Sequence, residues 1–395
     1  MDRIIFLVDM NAFFISCEMS RNNELKGKPA AVAGDPKNRK GIILSGNYDA
    51  RAYGVKTTMT VNEAKKLCPN IILVPPDHDF YSKRSREVMN IFSRFTPNVQ
   101  QNSIDEAWLD VTGCTGLFGE PLEIAKKIMD TIMNELDLWC SIGISSNKFL
   151  SKMASEMKKP LGITELYPED IKNKLWPMPV RSMYGVGKQT EKKLIDMSMY
   201  TIGDLAVCNV KKLIKCFGSY GEVLHNHANG IDESSVEINP YHENKSISRS
   251  VTLTRDTVEL EYVRNIIIEL SEEIGIEARR NGWKGGKVSI VLKYSDFKVI
   301  TRQKSITPTN LSRIIYDTAC ELLKKNWNTI NPVRLVGVGL GNIEDEVEQL
   351  SLFDLVEDSF KNKKEEKLEK AMDLIREKYG MNSVVRAKLL NKKRD

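Results

Sequence analysis

The sequence predicts an α+β protein of several domains, and three observations support that prediction. Its 395 residues exceed what one ordinary hydrophobic core accommodates, so more than one domain is expected. Over residues 1–166 the patterns run strand, insertion, helix, hairpin, helix and strand, which is typical of a ferredoxin-like sheet with helices on one face. Beyond residue 244, four alternating strand patterns are separated by two helix patterns, which predicts a second α/β unit.

Composition excludes several classes of protein. The hydrophobic fraction of 41%, the charged fraction of 28% and the net charge of +5 describe a globular chain that is only mildly basic. The seven cysteines show no Cys-x-x-Cys spacing, so reduced thiols and no zinc site are expected. The apolar run at the start is too short for a signal peptide, and no stretch approaches the length of a membrane span. We therefore expect a cytoplasmic protein.

The first predicted element is a strand that ends at an acid. Residues 3–8 form an almost continuous apolar, β-branched run, which is typical of a central strand buried on both faces. Asp9 follows this run, where a carboxylate must be paired or ligated because its burial alone costs several kcal/mol. Phe13, Phe14 and Cys17 then recur at helical spacing, so a helix is expected to begin near Asn11.

A second acidic position lies in the predicted hairpin of residues 99–111. Asp105 and Glu106 stand between two apolar runs, which predicts that they occupy the hairpin tip. Neighbouring strand residues point to opposite faces, so the pair can serve one site only if the backbone turns between them. On its own, an Asp-Glu pair of this kind indicates two solvent-exposed residues of a turn. With Asp9 on a neighbouring strand, three carboxylates would require a divalent cation, and two Mg²⁺ or Mn²⁺ ions would form a clamp for phosphoryl transfer.

Four motifs carry a resemblance to a known family. They occupy residues 9–14, 47–51, 103–106 and 158–162, in order and at compatible spacing. Together they resemble the Y-family translesion DNA polymerases and are most similar to the bacterial polymerase IV branch. The resemblance implies a distributive, template-directed polymerase of low fidelity without proofreading. Its implied partners are primer–template DNA, deoxynucleoside triphosphates, two Mg²⁺ ions and a sliding clamp, and we expect a monomer located at the nucleoid.

The resemblance also implies a division into domains. A palm would comprise residues 1–19 and 78–166, and fingers would occupy the insertion at 20–77. A helical thumb like a helix-hairpin-helix element would span 167–233, followed by a linker at 234–244. A C-terminal αβ little finger would span 245–341, and the tail at 342–395 would contain a charged helix at 362–379.

The catalytic and sugar-contacting residues implied by the resemblance lie in the palm. Asp9, Asp105 and Glu106 would be the catalytic acids and metal ligands, and Met10 would add its backbone carbonyl. Phe14 would be the steric gate, which lies under the sugar and rejects a ribose 2′-hydroxyl by a clash. For Phe13, core packing and nucleotide contact are equal alternatives. Asn11 departs from the acid that many members of the family carry.

Other positions are expected to contact the nucleotide. Tyr48 and Arg51, three residues apart on one helical face, would bind the triphosphate together, and Lys159 would add a point charge. Ile42 and Leu44 would pack over the nascent base pair, and the bulk of Leu44 is expected to narrow the lesions accepted. Lys148 and Lys152 are expected to be solvated or to face DNA.

DNA and clamp contacts are expected in the C-terminal half. In the thumb, Gly185, Gly187 and Lys188 form a turn before a helix, whose amides could approach a phosphate. A basic, open sheet face in the little finger would include Lys245, Arg249, Lys293 and Arg302, together with Lys298 and Lys304, although a solvated charged face is the alternative. For His225 and His227, packing or a position on the polar surface is expected in preference to a metal site. A clamp-binding peptide is expected at Gln349, Leu350, Ser351, Leu352 and Phe353.

Two functions of other classes remain open from the residues. A palm-bearing nucleotidyl cyclase would share the two-metal acids but would not require the thumb, the basic sheet or the clamp peptide. A catalytically silent scaffold bound to the clamp would keep those features and lose the acids, whereas this chain has all three.

Overall fold

A computed structural model describes residues 3–35, 41–237, 246–328, 330–345, 357–380 and 382–385. The chain divides into two compact units, Met1–Pro36 with Gly41–Pro240, and Lys37–Lys40 with Tyr241–Asp395. Both units mix helices with sheets, so the predicted α+β class is confirmed. No helix among the described residues is both long and apolar enough to cross a membrane.

The first unit contains two sheets and a set of helices. Its strands are β1 (Ile5–Met10), β2 (Ala30–Ala33), β3 (Ile43–Gly46), β4 (Ile72–Val74), β5 (Val99–Gln101), β6 (Glu106–Asp110), β7 (Cys140–Ser145) and β8 (Ile163–Glu165). Its helices are α1 (Phe13–Arg21), α2 (Tyr48–Ala52), α3 (Val61–Leu67), α4 (His78–Phe92), α5 (Thr115–Phe118), α6 (Pro121–Leu136), α7 (Lys148–Met157), α8 (Lys188–Asp196), α9 (Ile202–Val207), α10 (Val210–Phe217) and α11 (Ser219–Ala228).

The larger sheet has the order β5-β6-β1-β7-β8, with β1 antiparallel to both of its neighbours. Ile5, Phe6, Leu7 and Val8 are fully buried, as expected for a central strand whose two faces are covered. The predicted hairpin is formed by β5 and β6, and its tip lies beside the end of β1. This register positions the acidic residues at one end of the sheet.

The insertion after α1 forms the smaller sheet, with the order β3-β2-β4. Strand β2 runs parallel to β4 and antiparallel to β3. Asn47 connects this sheet to α2, because its side-chain oxygen accepts hydrogen bonds from the backbone amides of Ala30 (3.1 Å) and Ala50 (2.9 Å). This capping bond fixes the start of the helix that carries Tyr48 and Arg51.

Helices α8 to α11 form a small cluster after the larger sheet. Asn147 caps α7 and also donates to the carbonyl oxygen of Gly230 at 2.8 Å, which ties the cluster to the sheet. His227 stacks on Phe149 with ring centroids 4.3 Å apart, and burial lowers the pKa of its imidazole. The expectation that the histidines indicate packing before a metal site is therefore confirmed for His227.

The second unit is a four-stranded antiparallel sheet with helices against one face. Its sheet order is β11-β10-β12-β9, and buried Val288, Ile290 and Leu292 of β10 belong to its core. The elements are β9 (Ser246–Thr257), α12 (Leu260–Arg280), β10 (Trp283–Tyr294), β11 (Val299–Thr309), α13 (Ser312–Asn326), β12 (Val333–Asp345) and α14 (Glu357–Tyr379). The strands are longer than predicted, and α14 begins five residues earlier than its predicted start.

Candidate active site

The sheet register brings the three predicted acids to one end of the larger sheet. Asp9 and Glu106 are directly opposed residues of β1 and β6. Asp105 lies in the adjoining turn, where its carbonyl oxygen accepts a hydrogen bond of 2.9 Å from the Met10 amide. The hydroxyl of Ser103 donates to the Asp105 carboxylate and holds that side chain within the turn.

Two lysines occupy the space among these carboxylates. The ammonium of Lys152 lies 2.7 Å from Glu106, 3.3 Å from Asp9 and 2.9 Å from Glu156. The ammonium of Lys159 lies 2.8 Å from Asp9 and 2.9 Å from Glu156. Lys152 is only 8% exposed, so the prediction that it is solvated or faces DNA is wrong. The spacing of Lys152, Glu156 and Lys159 places them on one side of α7 and its C-terminal end, but this local pattern does not show that Asp9 and Glu106 lie opposite them.

Burial and neighbouring charge act in opposite directions on these groups. Burial raises the pKa of the Asp9 carboxyl above its ordinary value, although Lys159 and Lys152 both oppose that change. Burial would lower the pKa of Lys152, but Asp9, Glu106 and Glu156 outweigh it and the pKa is raised. The lysines therefore favour the ionised carboxylates that ligation of a cation requires.

The carboxylate and carbonyl oxygens of this site fit a hard divalent cation once the lysine contacts of Asp9 are replaced. Among the described residues, no three His, Cys, Asp or Glu side chains converge as a ready metal site. The two oxygens of Asp9 instead contact the ammonium groups of Lys159 and Lys152, so both are directed at positive charge. Carboxylate and carbonyl oxygens are the ligands that Mg²⁺ and Mn²⁺ favour, and ligation would replace these lysine contacts.

A cavity of about 320 Å³ separates the acids from the inserted sheet. Its walls combine two of the three predicted acids, the aromatic pair and the expected phosphate-binding residues, whereas Glu106 does not line it. Two further hydroxyl side chains, those of Ser45 and Thr57, also face the cavity. The lining residues are Asp9, Met10, Asn11, Ala12, Phe13, Phe14, Leu44, Ser45, Tyr48, Arg51, Thr57, Asp105 and Lys159. Ile42 is absent from this wall and is 39% exposed.

Tyr48 carries an unsatisfied polar group at this cavity. Its hydroxyl is buried and makes no hydrogen bond among the described residues. Its ring is stacked on Trp139 at 6.5 Å, and the guanidinium of Arg51 lies 4.9 Å from the ring centroid. A buried hydroxyl without a partner loses free energy, so an acceptor supplied by a bound molecule would be favoured here.

The two aromatic residues of α1 have different environments. Phe13 is 3% exposed and belongs to the core of the larger sheet, although it also reaches the cavity wall. Phe14 lines the cavity on one side and stacks on Tyr81 on the other, with centroids 4.5 Å apart and ring planes at 14°. Phe14 is therefore presented to the cavity from a rigid aromatic support.

Asn11 stabilises the loop that carries Lys159. Its side-chain oxygen accepts a hydrogen bond of 2.9 Å from the Leu161 amide, and its amide donates to Ser141 at 3.0 Å. The hydroxyl of Ser141 accepts from the Gly162 amide at 3.3 Å. The departure from an acid at Asn11 thus leaves an amide that hydrogen-bonds to two partners and supplies no charge.

The predicted thumb residues lie in a turn with the expected backbone. Gly185 has a φ of +89°, and Tyr220 donates from its hydroxyl to the Gly185 carbonyl at 2.9 Å. A Cβ atom at this glycine would approach the Tyr220 hydroxyl within 2.5 Å and displace it, and the positive backbone angle itself favours glycine. Gly187 is the N-cap of α8 and Lys188 is its first residue.

The expected basic sheet face in the second unit needs correction. Arg302 and Lys304 are directly opposed to buried Ile290 and Val288, so they belong to the face that the helices cover. Arg302 donates to Asn326 of α13, and Lys304 contacts Glu321 of the same helix. Arg249 forms an ion pair with Glu277 of α12.

Lys293 remains on the open face of that sheet, because it alternates with the buried residues of β10. Its ammonium lies 4.7 Å from the ring centroid of Phe297, and Lys298 contacts Asp296 at 3.3 Å in the same turn. Lys245 and the predicted clamp-binding peptide, residues 349–353, lie outside the described residues.

Three family models together match most of the chain. Residues 8–156 match the impB/mucB/samB family, and residues 244–352 match the C-terminal domain of that family. Residues 181–232 match a family described as the DNA polymerase-iota thumb domain.

Individual relatives extend this similarity. A protein of Clostridium kluyveri named DNA polymerase IV is 53% identical over 398 residues, covering 100% of this chain and 99% of the relative. One from Alkaliphilus oremlandii with the same name is 51% identical, covering 99% and 100%. A solved Y-family DNA polymerase chimera is 26% identical, with a TM-score of 0.77 over 87% of this chain and 99% of the chimera.

Proposed function

The chain belongs to the Y-family DNA polymerases of the impB/mucB/samB type and is a translesion DNA-directed DNA polymerase, and we propose that Asp9, Asp105 and Glu106 are its catalytic acids. The observation that supports this assignment best is the register of β1 and β6, which opposes Asp9 to Glu106 next to the cavity. Primer–template DNA and deoxynucleoside triphosphates are the substrates of this class.

The acids would hold two divalent cations, Mg²⁺ or Mn²⁺. When bound, these ions lower the pKa of a primer 3′-hydroxyl and neutralise the charge that develops on the leaving pyrophosphate. Asp9, Asp105, Glu106 and the Met10 carbonyl would supply the oxygen ligands for these ions. Lys152 bridges Asp9 and Glu106 and orients both carboxylates before ligation.

Tyr48, Arg51 and Lys159 would bind the triphosphate. The unsatisfied Tyr48 hydroxyl can donate to a phosphate oxygen, Arg51 supplies a planar fork of donors, and Lys159 adds a mobile charge. Phe14 would lie under the deoxyribose as the steric gate. Phe13, together with Leu44, would complete the walls near the sugar and the nascent base pair, and Ile42 would contribute from the rim.

Replacing Lys159 by methionine is expected to raise the KM for a deoxynucleotide by about tenfold, because one charge-assisted contact to phosphate is lost. The measurement is steady-state insertion of one nucleotide opposite a defined template base. Lys158→Met, the change at the adjacent lysine, is the matched control and should leave KM within about twofold. An unaltered KM for Lys159→Met would remove this residue from the triphosphate site.

DNA and protein partners would be bound outside the catalytic pocket. The amides near Gly185 and Gly187, with Lys188, would contact backbone phosphates, and the second unit would add Lys245 and Lys293. Residues 349–353 would bind the sliding clamp as a short peptide, which raises the effective concentration at a primer terminus. We infer a monomer that acts in the cytoplasm at the nucleoid.

Primer extension tests the proposed activity directly. The full chain, Mg²⁺ and deoxynucleotides should extend a primer on an undamaged template and past an abasic site, with no 3′-exonuclease products. A nucleotidyl cyclase would consume triphosphate without a primer, and a silent clamp-bound scaffold would leave the primer intact. Either of those results would contradict the proposal.

A further inference from the structure

A buried carboxylate lies behind the aromatic residue that faces the nucleotide cavity. Glu18 is 3% exposed and follows Phe14 by one helical turn on α1. It accepts a hydrogen bond of 2.6 Å from the hydroxyl of Tyr81, a residue of α4 that is fully buried. Glu18 does not line the cavity, so neither metal binding nor triphosphate binding accounts for it.

Arg21 fixes the orientation of this carboxylate. Its guanidinium donates to both oxygens of Glu18, each at 2.8 Å, in the bidentate geometry typical of strong carboxylate pairs. The same guanidinium contacts Asp77 at 2.9 Å and lies 4.3 Å from the ring centroid of Phe80. Arg21 therefore joins α1 to the beginning of α4 and holds Glu18 in one position.

Glu18, Arg21 and Tyr81 together are called the Glu18 clasp. Tyr81 is its link to the cavity, because its ring is stacked against Phe14 at 4.5 Å and nearly parallel to it. The ring of Tyr81 cannot move away from Phe14 without loss of its bond to Glu18. Burial and the hydrogen bond to Glu18 raise the pKa of the Tyr81 hydroxyl, which keeps it a donor.

We propose that Glu18 and Arg21 are positioning residues for sugar selection, because they hold Tyr81 behind Phe14 and prevent the Phe14 ring from yielding to a ribose 2′-hydroxyl. The inference rests on the proposed role of Phe14 under the sugar. Exclusion by a clash works only if the excluding group cannot move, and displacement by about 1 Å is enough to change rates a hundredfold.

If the Glu18 clasp had only a structural role, its loss would lower stability without altering the selectivity between sugars. An aromatic pair packs well with apolar neighbours, and a buried carboxylate is costly unless its partners are fixed. The Glu18 clasp makes this contact directional, because the Tyr81 hydroxyl donates to Glu18 and two hydrogen bonds from Arg21 hold that carboxylate in place. Its loss should therefore alter selectivity between sugars, and not only stability.

The test is the ratio of kcat/KM for a ribonucleotide to that for the matching deoxynucleotide, measured with the full chain on one primer–template. Both substrates are compared on the same enzyme, so losses in folding or in DNA affinity cancel. Tyr81→Phe removes the hydroxyl, and Glu18→Gln removes the charge and one of the two oxygens to which Arg21 donates. Each change should raise the ratio about three- to tenfold. The double variant should not exceed the larger single effect, because both changes break one linkage.

Matched controls are available at exposed positions. Tyr53→Phe changes a tyrosine that is 56% exposed. Asp130→Asn changes an exposed carboxylate of α6, and neither control should alter the ratio. Phe14→Ala should raise it more than any change to the Glu18 clasp. Should Tyr81→Phe fold poorly, Arg21→Gln tests the same linkage from the surface.

The outcomes separate the two levels of the inference. If Phe14→Ala raises the ratio while Glu18→Gln and Tyr81→Phe leave it within about twofold, the proposed role of the Glu18 clasp in sugar selection is wrong. The assignment of Phe14 as the steric gate is then retained. If Phe14→Ala also leaves the ratio unaltered, the gate assignment itself fails and the clasp fails with it.

Discussion

Replacing Asp105 by asparagine is expected to lower the rate of nucleotide incorporation by about a thousandfold, which is the scale of removing one main electrostatic contact from a transition state. The asparagine keeps the size of the side chain and can still accept the hydrogen bond from Ser103, so the turn between β5 and β6 should be retained. The loss should therefore appear in catalysis and not in folding. Rapid-quench measurement of a single turnover, with primer–template in excess of its Kd, gives the rate.

Asp130→Asn is the matched control for this experiment. Asp130 is an exposed residue of α6 and takes no part in the cavity. The control should retain the parent rate within about twofold, as is usual for surface substitutions. An Asp105→Asn enzyme that kept a tenth of the parent rate would show that this carboxylate is not needed for the reaction.

Replacing Arg279 by alanine is expected to release α14 from the second unit, at a cost of about 3–5 kcal/mol. The Arg279 side chain is 2% exposed, and its guanidinium contacts Glu369 and Asp373 of α14 together with the Asn310 carbonyl. Removing it leaves buried carboxylates without this cation. Hydrogen exchange measured by mass spectrometry should show protection of α14 amides falling by about a hundredfold or more.

Arg313→Ala provides the comparison for that measurement. Arg313 also contacts α14, through Glu365 at 2.8 Å, but its side chain is 38% exposed. A solvated ion pair contributes at most about 1 kcal/mol, so exchange of α14 should change little. Equal protection in the parent chain and in Arg279→Ala would mean that other contacts hold this helix.

The parts of the fold that follow from local pattern were predictable from sequence. The continuous apolar run before Asp9 identified a central strand, and the apolar runs on either side of Asp105 and Glu106 identified the hairpin of β5 and β6. The three acids could be placed at one end of a sheet because strand pairing follows from hairpin order. Element ends were less certain, since caps and long-range packing decide them.

Side-chain orientation was harder to predict than secondary structure. In α14, the helical spacing of Leu368, Met372 and Ile375 would ordinarily mark the buried face, yet Leu368 is 60% exposed and Ile375 is 42% exposed. The helix instead buries Glu369 and Arg376, because ion-pair partners are supplied by α12. A partner distant in sequence therefore inverts the usual assignment, and no local pattern reveals it.

The candidate site shows the same limit. Lys152 lies among carboxylates that are up to 143 residues away in sequence, so its burial could not be derived from the solvated appearance of α7. Arg302 and Lys304 look like an open basic face until strand register assigns them to the helix side. Charges alone did not distinguish these environments, because the sign of a side chain does not specify its partner.

Anomalous scattering from manganese gives the most direct test of the central claim. Crystals of the full chain with primer–template DNA, Mn²⁺ and a non-hydrolysable deoxynucleotide should show two Mn²⁺ peaks. Asp9, Asp105 and Glu106 should each ligate at least one of the two ions. Lys152 and Lys159 should no longer contact Asp9. Peaks that lie away from these carboxylates, with Lys152 and Lys159 still bound to Asp9 beside the nucleotide, would contradict the account.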